Sequence, residues 1–101
     1  MDNNPISNYM EVAGARVEAP CDVPDHILKD IIELAAQSSS KFDVDREGSA
    51  AAQYIKTALD GMHEPHWHVV IGNGFGSYVI HESQRYVYFH LNKRAFMIYK
   101  T

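Results

Sequence analysis

The sequence predicts an α+β domain in which two N-terminal helices pack on an antiparallel β-sheet. Apolar residues recur at helical spacing up to about Met62, and from Trp67 onward side chains alternate between two faces. The segments that connect the alternating stretches after Trp67 are short. Short connections favour antiparallel hairpins, so we predict a four-stranded antiparallel sheet. At 101 residues, 46% hydrophobic and 22% charged, the chain has the size and composition of one globular domain.

We expect residues 17–101 to form the folded domain and residues 1–16 to form a flexible N-terminal arm. The arm is polar and holds no apolar run that would serve as a signal peptide or membrane span. Residues 17–19 are compatible with a short edge strand. These features predict a cytosolic protein without membrane contact.

The first helix is predicted to begin after Cys21. Asp22 is a good N-cap residue, while Pro24 and Asp25 suit the first turn, where proline and negative charge are favoured. Apolar residues follow at helical spacing, namely Ile27, Ile31 and Leu34, flanked by Leu28, Ile32 and Ala35. Three serines at 38–40 predict a weak helix end, because serine side chains compete for backbone partners.

The second helix is predicted to begin near Asp43, a good N-cap residue. Gly48 would cost up to about 1 kcal/mol inside a helix, so a start at Ser49 stays open as an alternative. Gly61 and Pro65 are expected to end this helix. Strands are then predicted over residues 67–71, 77–81, 86–91 and 95–100.

Charge and cysteine content narrow the functional classes. The formal net charge is −4 and the basic residues are scattered, which argues against nucleic acid and anionic membranes as partners. Cys21 is the single cysteine, so no intramolecular disulfide can form and a reducing compartment is favoured. No paired histidine is evident around Cys21, and its neighbours Pro20 and Asp22 do not favour a thiolate, so we interpret this cysteine as inert.

Several groups of residues resemble reactive sites without completing one. His63, His66 and His68 suggest zinc, but no second cysteine or paired helical histidine completes a ligand set. The turn Asn73-Gly74-Phe75-Gly76 lacks the lysine and helix of a phosphate loop, and a hairpin turn explains it better. Acidic residues at 43, 45 and 47 lie at a helix start, where they cap amides. The sequence therefore predicts no catalytic residues, metal or cofactor.

The segment at residues 67–82 predicts a sheet edge that binds another chain, and its motifs resemble a known family. They are Trp67-His68, Phe75-Gly76-Ser77-Tyr78-Val79, His81-Glu82 and Tyr86-Val87-Tyr88-Phe89. In order and spacing these motifs resemble the dynein light chain family of the light-chain-eight type. The similarity extends back through residues 41–46 and Asp22-Val23-Pro24 and covers about residues 17–101.

The resemblance implies a non-catalytic homodimer in which a strand at residues 76–82 crosses to the partner's sheet. The dimer then has two grooves at its edges, and each groove binds an extended client segment as an additional β-strand. Expected clients are the dynein intermediate chain and other disordered segments with Thr-Gln-Thr motifs, which the dimeric hub holds in parallel pairs. This implies a cytoplasmic light chain associated with the dynein motor and microtubules.

The resemblance also implies the residues of both surfaces. Asp45 and Arg46 would meet the client's glutamine, which caps second-helix amides that lack internal partners. The remaining groove residues would be Asn73, Gly74, Phe75, Gly76, Ser77, Tyr78, Val79, Ile80, His81, Tyr86, Tyr88, His90, Ala95 and Met97. The dimer interface would use Trp67, His68, Val70, Gly72, Phe75, Ser77, Tyr78 and Val79.

This chain departs from the family pattern at positions that affect client choice. Ile80 stands where the family usually has a threonine, His90 replaces a groove tyrosine, and three extra residues fall around 47–49. We expect weaker binding of Thr-Gln-Thr peptides, because Ile80 cannot hydrogen-bond the client threonine. Two alternatives stay open: a scaffold with the same groove that acts outside dynein, and a histidine-based metal-binding protein.

Overall fold

The computed structural model describes residues 9–18, 21–73 and 85–101. The elements in chain order are β1 (Tyr9–Val12), β2 (Ala15–Glu18), α1 (Asp25–Lys41), α2 (Val44–His63), β3 (Trp67–Gly72), β4 (Arg85–Leu91) and β5 (Arg94–Lys100). All strand pairs are antiparallel, and the sheet order is β1-β2-β4-β5-β3. The predicted α+β class, with two helices on an antiparallel sheet, is confirmed.

Both helices pack on one face of the sheet and form the core with it. Ile31 and Ile32 of α1 and Ile55 and Leu59 of α2 are buried. They join a cluster with buried sheet residues, namely Val17, Val87, Phe89, Phe96 and Ile98. The rings of Phe89 and Phe96, which face each other across β4 and β5, stack with centroids 5.0 Å apart.

The N-terminal segment contains a hairpin that the sequence analysis did not anticipate. Strand β1 lies within residues 1–16, which were predicted as a flexible arm, and pairs with β2 from Tyr9↔Glu18 to Val12↔Ala15. The intervening Ala13 and Gly14 both have positive φ, as a two-residue hairpin turn requires. Strand β2 then pairs with β4. The domain boundaries themselves stay a prediction.

The start of α1 differs from the prediction. Pro24, not Asp22, is the N-cap residue, and its carbonyl accepts from the amides of Ile27 and Leu28 at 3.0 and 2.9 Å. Asp22 instead donates its backbone amide to the carbonyl of Tyr86 at 2.9 Å, which holds the segment against β4. The helix continues through Ser38, whose buried hydroxyl donates to the Ala51 carbonyl of α2.

Asp43 is the N-cap residue of α2, as predicted. The backbone breaks from helical geometry at Glu47 (φ −126°, ψ 35°), directly before Gly48, where the alternative start was considered. Gly61 does not end the helix; α2 runs to His63, and Glu64 at φ 71° ends it. Neither described helix is long and apolar enough to cross a bilayer.

Candidate functional site

The sheet has a second face, opposite the helices, on which most of the described site residues lie. Alternation places Val87, Phe89, Phe96 and Ile98 in the core, so their neighbours in β4 and β5 point the other way. We call this second surface the open face. Strand register arranges it in three rows: His68–Tyr99–Tyr86, Val70–Met97–Tyr88 and Gly72–Ala95–His90.

The first row is aromatic and partly buried. The ring of His68 stacks on Tyr99 with centroids 4.9 Å apart, and its Nε2 lies 3.3 Å from Oγ1 of Thr101. Tyr86 is almost completely buried, and burial raises the pKa of its hydroxyl to about 12. Burial thus strengthens the preference of this phenol for its neutral form, and Tyr86 offers contact area rather than charge.

The second row exposes apolar surface at the edge of the sheet. Val70 is 41% exposed, and among the described residues only two other large hydrophobic side chains, Met10 and Met62, are exposed. Strand β3 pairs with β5 on one side, and within the described ranges no strand pairs with its other side. An unpaired edge presents amide and carbonyl groups that a further strand can use. Here that edge lies beside an exposed apolar row.

The third row ends in a polar corner. Nδ1 of His90 lies 3.4 Å from Oε2 of Glu18, and Nε of Arg16 lies 3.5 Å from the same oxygen. The rings of Tyr88 and His90 meet edge to face at 5.2 Å. Both Arg16 and Glu18 belong to β2, so this strand brings charge to the open face. The sequence analysis assigned neither residue to the site.

A further cluster lies at the start of α2. Oδ1 of Asp43 accepts from the amide of Asp45 at 3.1 Å, and Oε1 of Glu47 accepts from the amide of Asp43 at 2.9 Å. The carbonyl of Asp43 accepts from the amides of Arg46 and Glu47. A cavity of about 370 Å³ is lined by Asp43, Arg46 and Glu47. Among the first amides of α2, those of Asp43, Asp45 and Arg46 thus have partners within the chain, contrary to the expectation, whereas the Glu47 amide makes the first ordinary helical bond.

Arg94 connects this cluster to the sheet. It begins β5, directly after the turn at Asn92 and Lys93, and its guanidinium pairs with the carboxylate of Asp45. Asp45 is an implied groove residue, whereas Arg94 was missed. The sequence does contain a signal for this ion pair, because the basic Arg94 follows a short turn and the acidic residues at 43, 45 and 47 start a helix. Only the fold brings these two segments together.

Trp67 lies apart from the described residues assigned with it to the dimer interface, namely His68, Val70 and Gly72. Its side chain is fully buried in the core under the helices, on the face opposite His68. Its backbone amide donates to Oδ1 of Asp60 at 2.8 Å. Trp67 thus has no exposed side-chain surface to offer a second chain, and we assign it to the core.

The remaining predicted residues are placed as follows. Asn73 is exposed at the end of β3. Eight assigned residues lie outside the described ranges: Gly74, Phe75, Gly76, Ser77, Tyr78, Val79, Ile80 and His81. Cys21 is half-buried against the core, and burial raises the pKa of its thiol, which disfavours the reactive thiolate.

The three clustered histidines have different surroundings. Nε2 of His63 lies 2.8 Å from Oδ2 of Asp30, linking α2 to α1, whereas His68 stacks on Tyr99. The carbonyl of His66 accepts from the amide of Thr101. In the part of the chain that the structure describes, no three His, Cys, Asp or Glu side chains are grouped as metal ligands.

Comparisons with known proteins agree on one family. The family model described as dynein light chain type 1 matches residues 16–101. A Kluyveromyces lactis protein named Dynein light chain 1, cytoplasmic, is 39% identical over 80 residues, covering 79% of this chain and 88% of that protein. A Schistosoma mansoni dynein light chain is 36% identical over 80 residues, covering 79% of this chain and 86% of that protein.

Solved structures show the same fold at lower sequence identity. The dynein light chain-like domain of a Fasciola hepatica calcium-binding protein aligns with a TM-score of 0.71 and 16% identity, covering 90% of this chain and 95% of that one. The corresponding domain of CsTAL3 gives 0.72 and 14%, covering 89% and 95%. At such identities the likeness concerns the fold alone.

Proposed function

Because this chain belongs to the dynein light chain family, we propose that it is a non-catalytic, dimeric light chain that binds short client segments by strand addition. The observation that carries the proposal is the open face beside the outer edge of β3, which no strand of the described residues pairs with. Implied groove and interface residues from three strands share that face, and its most exposed apolar side chain, Val70, lies on the edge strand.

The proposed dimer would use the same surface. Small domains bury a limited fraction of their surface, and association is a common way to gain stability. A second copy would cover Val70 and Met97, and a strand from its residues 76–82 would pair with the β3 edge. The groove beside that added strand would then receive the client, with Tyr88, His90 and Ala95 on its wall.

Bivalency would make weak client sites useful. Once one strand of a paired client occupies a groove, the second strand meets the other groove at a high effective concentration. A dimeric light chain of this kind holds two disordered segments side by side without any chemical step. The names of relatives, dynein light chain and cytoplasmic, support placing it in the cytoplasm with the dynein motor. Association with microtubules and the intermediate chain as partner are carried over from the family resemblance.

Binding is tested by calorimetric titration with a Thr-Gln-Thr peptide. We expect one peptide per chain, and tighter binding by an Ile80→Thr variant because the added hydroxyl can bond the client threonine. Equal or weaker binding by the variant would show that Ile80 does not cause an altered client preference. If neither protein bound the peptide, the proposed binding groove would be contradicted.

The motor assignment needs a separate experiment, since a scaffold outside dynein would use the same groove. Immobilised protein should retain a dynein intermediate chain from cell extract, and excess Thr-Gln-Thr peptide should release it. Retention of other clients without the intermediate chain would favour the dynein-independent role.

A further inference from the structure

His90 has one ring nitrogen enclosed by the protein and the rest of its ring partly at the surface. Its neighbours in β4, Phe89 and Leu91, are buried in the core, so the imidazole lies on the open face. Nδ1 is buried and forms no hydrogen bond with the described residues. The side chain as a whole is 37% exposed, so its accessible part lies away from Nδ1. A client on the open face would therefore meet the other side of the ring.

Glu18 of β2 faces the enclosed nitrogen. Its Oε2 lies 3.4 Å from Nδ1 of His90, and Nε of Arg16 lies 3.5 Å from the same oxygen. Strand pairing sets this arrangement, because Arg16 lies opposite His90 and Glu18 lies opposite Tyr88. The ring of Tyr88 meets the imidazole edge to face, and Glu11 of β1 lies opposite Arg16. Strands β1 and β2 thus bring these charged groups close to the imidazole.

The Glu18 carboxylate determines which nitrogen of the neutral imidazole carries the proton. A neutral imidazole has one N–H donor and one acceptor nitrogen, whereas an ionised carboxylate only accepts. An unprotonated Nδ1 would face an oxygen that has no hydrogen to donate, and a buried acceptor would stay unpaired. A proton on Nδ1 instead directs a donor at Glu18 and leaves Nε2 as an acceptor.

We propose that His90 is a specificity-determining residue that selects clients with a hydrogen-bond donor above it, and that Glu18 is its positioning residue. The inference rests on the proposed function, in which His90 lies on the groove wall. A client asparagine or lysine can donate to Nε2. A client aspartate only accepts, so two acceptors would face each other. Asparagine and aspartate are thus distinguished although their shapes are nearly equal.

A peptide series tests this preference. Each residue that flanks Thr-Gln-Thr is replaced in turn by asparagine or by aspartate, and calorimetric titration at about pH 8, where an ordinary histidine is neutral, gives both dissociation constants. For the wild type we expect one flanking position at which asparagine binds roughly tenfold tighter than aspartate. In Glu18→Gln the amide can bond Nδ1 in either tautomer, so this ratio should fall below about threefold.

His90→Phe separates the hydrogen bond from direct repulsion between Glu18 and the client aspartate. This variant keeps the Glu18 carboxylate and an aromatic ring but offers no acceptor, so we expect the preference to disappear. A preference that persists in His90→Phe would assign it to repulsion and overturn the inference. Equal ratios in the wild type and Glu18→Gln would overturn the role of Glu18. Circular dichroism confirms that each variant folds.

NMR of ¹⁵N-labelled protein identifies the protonated nitrogen directly, because protonated and unprotonated ring nitrogens differ in chemical shift. We expect the proton on Nδ1 of His90 in the wild type and a shift of population towards Nε2 in Glu18→Gln. A proton on Nε2 in the wild type would overturn the inference while leaving peptide binding intact. If no peptide of the series binds the wild type, the proposed function fails and the inference fails with it.

Discussion

Lys93 holds an unfavourable backbone conformation in the turn between β4 and β5. Asn92 and Lys93 have φ of 53° and 67°, the combination that a two-residue hairpin turn requires. Asparagine tolerates this region, and glycine adopts it freely, but the lysine Cβ crowds the backbone there. The turn is thus built from the favoured first residue and a disfavoured second one.

Replacing Lys93 with glycine should therefore stabilise the protein. We expect the free energy of unfolding to rise by up to about 1 kcal/mol, because relief of the left-handed backbone outweighs the extra freedom of glycine in the unfolded chain. Urea unfolding measures the change. Lys93→Ala removes the same side chain without relieving the strain, so an equal gain in both variants would refute this reason.

For single residues, the sequence predicted the location correctly where strand alternation or helix capping determines it. Asp43 caps α2, and His68 and Val70 share a face as the period of two requires. Trp67 was assigned to the interface by resemblance, although alternation already placed it opposite His68. Arg94 was missed because its partner Asp45 is 49 residues away in sequence, and only the packing of α2 near the β4–β5 turn joins them.

Asp60, near the end of α2, links this helix to β3, because its carboxylate binds the first backbone amide of the strand. Its Oδ1 accepts from the amide of Trp67 at 2.8 Å, and its Oδ2 pairs with Lys56 at 2.6 Å. The bond from Lys56, followed by that from the Trp67 amide, lowers the pKa of the Asp60 carboxyl from its ordinary value. The ionised form is thus favoured by folding.

This link predicts a pH-dependent difference between wild type and Asp60→Asn. A depressed folded-state pKa adds stability above the unfolded-state pKa, and the contribution is lost as pH falls through the folded value. We expect the wild type to be the more stable at pH 7 and the difference to shrink below about pH 4. Thermal melts from pH 7 to pH 3 measure it, and a constant difference would contradict the assignment.

Lys56→Gln provides the matched control for that series. It removes the largest cause of the lowered pKa but leaves the bond to the Trp67 amide in place. A pH-dependent loss smaller than that of Asp60→Asn is expected. If the two variants lost the same amount of stability, the hydrogen bond from the Trp67 amide to Asp60 would contribute nothing.

The helices and three strands were predictable as elements because their periodicity is long and regular. The hairpin of β1 and β2 was not, since four-residue strands carry little pattern and β1 depends on pairing with β2, itself paired with β4. Helix α1 is capped by Pro24 and not, as predicted, by Asp22, because the Asp22 amide donates to the Tyr86 carbonyl of β4. Tertiary pairing, which local sequence does not encode, decided both.

At the scale of the whole molecule, the two faces of the sheet have different roles. One is covered by helices and forms the core, whereas the other carries aromatic, aliphatic and a few charged side chains up to the β3 edge, where the described part of the chain supplies no further strand. A second chain and an added strand would bury the partly exposed apolar row of Val70, Met97 and Tyr88 and the β3 edge beside it. The proposed function therefore depends on the open face joining two copies of the chain.

Sedimentation velocity of the wild type, Val70→Asp and Met62→Asp tests this claim most directly. Val70 is 41% exposed on the open face and Met62 is 53% exposed on α2, so both variants place a charge on an exposed apolar site. We predict twice the 11.4 kDa chain mass for the wild type and Met62→Asp, and the single-chain mass for Val70→Asp. A monomeric wild type, or a dimer undisturbed by Val70→Asp, would contradict the account.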